Sequence, residues 1–137
     1  MKTCIFILLL CGISAARAQD SISVSAKTYV AELEKTIAGR ENEPSENVFK
    51  NIQSLKGIPA GRLLKIMQLG FSKSLGVDCS HCHNPKAWDS DEKDKKEIAR
   101  KMWKFTGEIK KELSSITNKK AVVNCNTCHR GATEPAF

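Results

Sequence analysis

Apolar residues recur at intervals of three or four positions along several stretches of this chain, which is the spacing of an amphipathic α-helix. The first such helix is predicted between Ser25 and Gly39, and its apolar positions are Val30, Leu33 and Ile37. After a polar linker, residues 41–44, Ser45 is a candidate N-cap for a second helix. The apolar positions of this second helix are Val48, Ile52 and Leu55.

Two further helical patterns follow, and each contains one methionine. Pro59 is predicted to open the third helix at its first turn, and Gly76 is predicted to end it. The apolar face of this third helix consists of Leu63, Met67, Phe71 and Leu75. A long charged helix is then predicted over about residues 91–116, capped by Asp89 or Ser90. Its apolar face consists of Ile98, Met102, Phe105, Ile109 and Leu113. No succession of strands is found, so the predicted fold class is all-α.

The first 18 residues have the features of a secretory signal peptide. Lys2 supplies the positive start, residues 4–13 form an apolar run too short to span a bilayer, and Ala16-Arg17-Ala18 is a small-x-small cleavage site. An uncleaved apolar anchor and a lipoprotein signal ending at Cys11 are the two alternatives. We therefore expect an exported, periplasmic protein whose mature chain has no transmembrane segment.

Cysteine spacing indicates the chemistry of the mature chain. Without the signal, four of the six cysteines remain, and they form two C-x-x-C pairs that are each followed by a histidine. The two motifs consist of Cys79, Cys82 and His83, and of Cys125, Cys128 and His129. C-x-x-C-H is the attachment motif of c-type haem. On a helix, residues three and four positions apart share a face, so two thiols can reach one porphyrin while the histidine binds its iron.

Structural zinc and disulfides are the alternative uses of two cysteine pairs. Zinc does not explain why a histidine follows both pairs, and the βαβ pattern of a thioredoxin-like redox motif is absent. We therefore predict two covalently bound haem c groups. The predicted domain organisation is a signal peptide at 1–18, an N-terminal helix and linker at 19–44, and a dihaem cytochrome c domain at 45–137.

The mature chain contains only two methionines, Met67 and Met102, and each precedes one haem motif on the apolar face of a helix. A helix that turns back can place its methionine across the haem from the histidine. The alternative is that both methionines are ordinary core side chains. We favour iron ligation for both, in two repeated units of methionine helix, turn and haem-attachment helix.

Several segments resemble the cytochrome c subunit of photosynthetic reaction centres and its relatives. The similar segments are 46–60 (ENVFKNIQSLKGIPA), Met67-Gln68, 74–83 (SLGVDCSHCH), 99–102 (ARKM) and 125–131 (CNTCHRG). The resemblance implies that Met67 and His83 ligate the first haem, and that Met102 and His129 ligate the second. Photosynthetic members of that family carry twice as many attachment motifs, in two similar halves, and this chain corresponds to one half.

With two protein ligands on each iron, we expect a one-electron carrier rather than an enzyme. The alternative is a small dihaem peroxidase, which needs an iron with a vacant or displaceable ligand. The net charge is +7, and removing the signal leaves 20 basic and 15 acidic residues, or +5. Nine lysines between Lys93 and Lys120 are assigned mostly to the exposed face of the long helix. They would also suit a redox partner with an acidic docking surface, whereas nucleic acid is not an expected partner.

Four other residues are candidates for positions near a haem. His81, between the cysteines of the first motif, is expected to be exposed and not a ligand. Trp88 and Trp103 are expected to be core or cover residues. Arg130 is expected to be either a solvated cation or the partner of a haem propionate.

Overall fold

The computed structural model describes residues 24–135, and within this range all regular elements are helices. The predicted all-α class is confirmed. The helices are α1 (24–36), α2 (Ser45–Val48), α3 (Ala60–Lys65), a π-helical segment (Ile66–Ser72), α4 (Lys73–Leu75), a 3₁₀-helix (Cys79–His81), α5 (Asp94–Thr117) and α6 (Cys125–His129). No helix in the described range is long and apolar enough to cross a bilayer. The predicted signal peptide lies outside the described residues.

The hydrophobic core lies between α1 and α3. Val30 in α1 and Ile37 just after it pack with Ala60 and Leu64 of α3, and all of these side chains are buried. The partly buried side chains against this cluster are Leu33, Val48 and Phe49. The core therefore includes side chains from both sides of the boundary predicted between residues 44 and 45.

The second helix is much shorter than predicted. α2 is a single turn, and Phe49 already has an extended backbone, with φ −112° and ψ 147°. The fully buried Ser45 hydroxyl donates to the Leu55 carbonyl at 2.6 Å, and the Glu46 carboxylate accepts from the Gly57 amide at 2.8 Å. Because these bonds close residues 46–57 into a loop, the predicted continuation of the helix to Leu55 is wrong. Ser45 is also not the N-cap, since Pro44 precedes the first helical residue.

The helix that carries Met67 has three parts. α3 begins after Pro59, which occupies the N-cap position rather than the predicted first turn. Residues Ile66–Ser72 then widen into a π-helix, and α4 ends at Gly76 in the left-handed conformation, with φ 64° and ψ 34°. The predicted end at Gly76 is confirmed. The π-helical middle was not predicted; short π-helical segments are rare and occur frequently at functional sites.

α5 begins at Asp94, later than predicted, because the residues before it are engaged in a turn. The Ser90 hydroxyl accepts a hydrogen bond from the Glu92 amide at 3.2 Å, so neither Ser90 nor Asp89 caps the helix. Lys96 is an exception to the expected exposed lysine face, since it is only 8% exposed and its ammonium group lies 3.1 Å from the Asp91 carboxylate.

Two candidate haem sites

The first C-x-x-C-H motif starts on the 3₁₀-helix, and Asp78 holds its first turn. The Asp78 carboxylate accepts from the Ser80 amide at 3.0 Å and from the Ser80 hydroxyl at 2.7 Å. The His83 amide donates to the Cys79 carbonyl at 3.0 Å. The two residues are four positions apart, so this is the hydrogen bond of one α-helical turn. Local hydrogen bonds therefore bring Cys79 and His83 to the same side of the motif.

The ring of His83 is oriented by a backbone carbonyl. Its Nδ1 atom lies 3.1 Å from the Trp88 carbonyl oxygen. A carbonyl can only accept, so Nδ1 carries the proton and Nε2 keeps its lone pair. Burial lowers the pKa of His83 below its ordinary value, and the nearby charges of Lys96 and Arg100 lower it further, against the opposing effect of the bond to Trp88. The ring is thus neutral at pH 7, which is the form that binds a metal ion.

The residues assigned to the first haem line one cavity. This cavity has a volume of about 300 Å³, and its lining includes Met67, Cys79, Cys82 and His83. The rest of its lining is mainly apolar and comes from α1, α3, the π-helical segment and the loop after α2, and α5 adds a further wall that includes Lys96. The volume lies at the lower end of the range of about 300–1,000 Å³ that is usual for small-molecule sites. Two thiols, a neutral imidazole and a thioether inside apolar walls form a donor set that fits a covalently attached haem.

The second motif forms α6, which has a reciprocal cap at its start. The Asn124 side chain accepts from the Thr127 amide at 3.2 Å, and the Thr127 hydroxyl accepts from the Asn124 amide at 3.1 Å. The His129 Nδ1 atom lies 3.0 Å from the Ala132 carbonyl oxygen. By the same reasoning as for His83, this bond leaves Nε2 of His129 available to a metal ion. Arg130, the C-cap, is exposed, with φ 49°.

The residues assigned to the second haem line a separate cavity of about 270 Å³. Its lining includes Met102, Cys125, Cys128 and His129. The large apolar side chains of α5 that also line it are Ile98, Phe105 and Ile109. Among the described residues of α5, Lys96 alone is buried, and Met102 is 38% exposed. The apolar face of α5 therefore borders this cavity instead of packing tightly against other helices, as expected for a helix that covers a haem.

The two cavities adjoin each other. Their shared lining residues are Phe71, Leu75, Cys82 and Ala99. His81 is partly buried and lines the second cavity, so the expectation that it is exposed is wrong. Of the two tryptophans, Trp88 packs edge-on against Tyr29 with ring centroids 5.4 Å apart, and Trp103 packs against Phe71 at 5.9 Å. Both tryptophans line the first cavity, in agreement with the predicted covering role.

The four motif cysteines form no disulfide among residues 24–135. Burial raises the pKa of the Cys79, Cys82 and Cys125 thiols above the ordinary value of a thiol. Among residues 24–135, no group of three or more His, Cys, Asp or Glu side chains is arranged to hold a metal ion.

Two functional groups near His83 could not be found by sequence reasoning. The first is the Trp88 carbonyl, since every residue has a carbonyl and no residue type marks this one. The second is Lys96, whose ammonium group donates to that same carbonyl at 3.1 Å. The sequence presents Lys96 as one of many lysines on a charged helix, and only the fold of the loop before α5 distinguishes it.

A helical scaffold with two C-x-x-C-H motifs, each with an anchored histidine beside an apolar cavity, defines the class of c-type cytochromes. Residues 11–137 match the family described as the photosynthetic reaction centre cytochrome C subunit, and the chain belongs to this family. The resemblance seen in the sequence is thereby confirmed.

Two curated relatives are similar to this chain. Cytochrome c-554 of Chloroflexus aurantiacus is 34% identical over 84 residues, which are 60% of this chain and 20% of that protein. The photosynthetic reaction center cytochrome c subunit of Thermochromatium tepidum is 27% identical over 120 residues, which are 87% of this chain and 29% of that protein. The chain thus spans less than a third of the length of either relative.

Proposed function

We propose that this protein is an exported dihaem c-type cytochrome that carries or relays single electrons between redox partners. The observation that carries the proposal is the composition of the two cavities. Each cavity is lined by the two cysteines of its own motif, by the histidine of that motif, which is anchored through Nδ1, and by the methionine of the helix before it. These residues would hold a haem by covalent attachment and a His/Met ligand pair.

Haem c, when bound, supplies the one-electron chemistry of its iron. The cysteines of each motif would hold the porphyrin through thioether bonds. His83 and His129 would offer Nε2 to the iron, and their carbonyl partners would keep the rings from rotating. Met67 and Met102 would supply a second protein ligand at each site, which would leave no open position for a substrate. The apolar walls exclude water, which limits reorganisation of the surroundings when the charge on the iron changes.

A relay between the two sites is supported by their shared walls. Phe71, Leu75 and Cys82 border both cavities, so the volumes assigned to the two haems are adjacent. An electron that enters at one site therefore has a short path to the other. The lysines of α5 provide a basic surface that would attract a redox partner with an acidic docking surface.

Intact mass is the direct test of the proposal. When the protein is produced in a host that attaches haem, its mass should exceed that of the mature polypeptide by two haems, and the haem should survive acid–acetone extraction. The double variant Cys125→Ser/Cys128→Ser is the matched control and should gain one haem only. A mass equal to the bare chain contradicts the proposal. A high-spin haem with peroxide turnover would favour the peroxidase instead.

A further inference from the structure

The Trp88 carbonyl accepts hydrogen bonds from two side chains. One donor is Nδ1 of His83 and the other is Nζ of Lys96, each at 3.1 Å. Lys96 is only 8% exposed, and its ammonium group also lies 2.7 Å from the Ser90 carbonyl and 3.1 Å from the Asp91 carboxylate. These three acceptors use all three of its N–H groups, so the charge is held at one place.

The charges around Lys96 leave a local positive excess. Asp91 pairs with Arg100 at 2.9 Å as well as with Lys96, so one carboxylate serves two cations. Arg100 also pairs with Glu97 at 3.2 Å, but the Glu97 side chain is 51% exposed and its charge is screened by solvent. The side chains of Lys96 and Arg100 are 10% and 13% exposed, so their charges are screened much less.

Lys96 would act in two ways on a haem held by His83, and both would raise the reduction potential of that haem. Donation from Nδ1 to a carbonyl makes an imidazole a stronger donor to iron, which favours the ferric state. A cation on the same carbonyl draws electron density away from that bond and weakens the effect. In addition, a nearby positive charge favours the ferrous iron, because it carries one positive charge less.

At the second site, the carbonyl that accepts from the motif histidine has no cation from the described part of the chain bound to it. His129 donates to the Ala132 carbonyl at 3.0 Å, and no lysine or arginine among residues 24–135 donates to that carbonyl. The two histidines therefore have the same type of hydrogen bond, but only one of the accepting carbonyls also binds a cation. This difference affects the two haems unequally, although their predicted ligands are the same.

We propose that Lys96 is a positioning residue that acts through the Trp88 carbonyl to raise the reduction potential of the haem held by His83 above that of the haem held by His129. The inference rests on the proposed dihaem function. Its consequence is a direction of transfer, because an electron that arrives at the second haem passes downhill to the first.

Redox titration of the dihaem protein, followed by its absorption spectrum, tests this inference. Each potential is assigned to its haem with the variants Met67→Leu and Met102→Leu. In Lys96→Met, which keeps the aliphatic stem, the potential of the first haem should fall while that of the second stays unchanged. Lys101→Met, an exposed lysine on the same helix, is the matched control and should shift neither potential selectively.

A second variant should shift the potential of the first haem in the opposite direction. Asp91→Asn removes the negative charge that offsets Lys96 and Arg100, and it should raise the potential of the first haem. The Asp91 side chain is 45% exposed, so this variant tests the inference even if Lys96→Met does not fold. Glu108→Gln, another exposed carboxylate, is its control.

The outcomes separate the inference from the proposed function. Shifts of opposite sign, confined to the first haem, support the role of Lys96, since a purely structural residue would not produce them. If Lys96→Met and Asp91→Asn shift the potentials of both haems equally, or shift neither, the inference alone is overturned. It is also overturned if the first haem has the lower potential. A protein without two low-spin haems overturns the proposed function and the inference together.

Discussion

Gly76 and Gly131 meet backbone to backbone, and the contact joins the two haem motifs. A Cβ atom on Gly76 would overlap the carbonyl oxygen of Gly131. Beside this contact, the Gly131 amide donates to the Ser74 carbonyl at 2.9 Å. The segment just after α6 therefore rests on the end of the helix that carries Met67, which positions the second motif relative to the first site.

Gly76→Ala should destabilise the protein more than an alanine at another left-handed glycine. Gly57→Ala is the control, because Gly57 has φ +74° and nothing within 4 Å of an added Cβ. The control should lower the free energy of unfolding by about 1–2 kcal/mol, because alanine is strained in the left-handed conformation. Gly76→Ala should add an overpacking cost of about 1–3 kcal/mol, because the opposing atoms belong to the backbone. Denaturant unfolding measures both variants, and equal losses would show that the contact is unimportant.

Each methionine should control one haem. A methionine sulfur on ferric iron gives a weak absorption band near the red end of the spectrum. Met67→Ala should remove about half of this band, open the first haem to added ligands and lower its potential, since thioether ligation favours the ferrous state. Met102→Ala should do the same at the second haem.

Leu69→Ala is the control for the methionine variants, because Leu69 lies in the same π-helical segment as Met67 and is 57% exposed. This variant should keep the whole band. If either methionine variant also kept the whole band, that residue would be a core side chain and its haem would have a different sixth ligand.

Each motif histidine should affect one haem only. His83→Ala and His129→Ala should each abolish low-spin ligation at one site, because the two cavities contain different histidines. His81→Ala is the control. It removes the remaining histidine of the chain, which we do not assign to iron, and should leave both low-spin spectra intact. Loss of both spectra from a single motif variant would show that the sites do not form independently.

Asp91 should contribute to stability in a pH-dependent way. The hydrogen bond from Arg100 holds the pKa of Asp91 well below its usual range, and Asn51 and Lys96 lower it further. Because the pKa is lower in the folded state, the contribution is present above the unfolded value of about 3.9 and is lost as the pH falls below it. Unfolding experiments should therefore separate wild type from Asp91→Asn near pH 6, and the separation should shrink as the pH falls from about 4 to about 2. A constant difference across this range would rule out the ionised pair as the cause.

The sequence by itself determined the class of cofactor chemistry and the all-α class. Both depend on local patterns: a C-x-x-C-H motif lies within five consecutive residues, and helical periodicity needs only near neighbours. The end of a helix at Gly76 is local in the same way, since a residue without Cβ adopts the left-handed conformation without strain. The pairing of Met67 with His83 and of Met102 with His129 stays a prediction from the sequence, which the two cavities support.

Only the tertiary structure decided which lysine is buried and which carbonyl orients each histidine. Lys96 meets the Trp88 carbonyl because the loop before α5 folds back over the first turn of that helix. The same holds for α2, where the bond from Ser45 to the Leu55 carbonyl replaces a predicted helix with a loop. The physical reason is that such bonds join groups present in every residue or in many similar ones. Their partners depend on how distant segments pack, and periodicity carries no information about that.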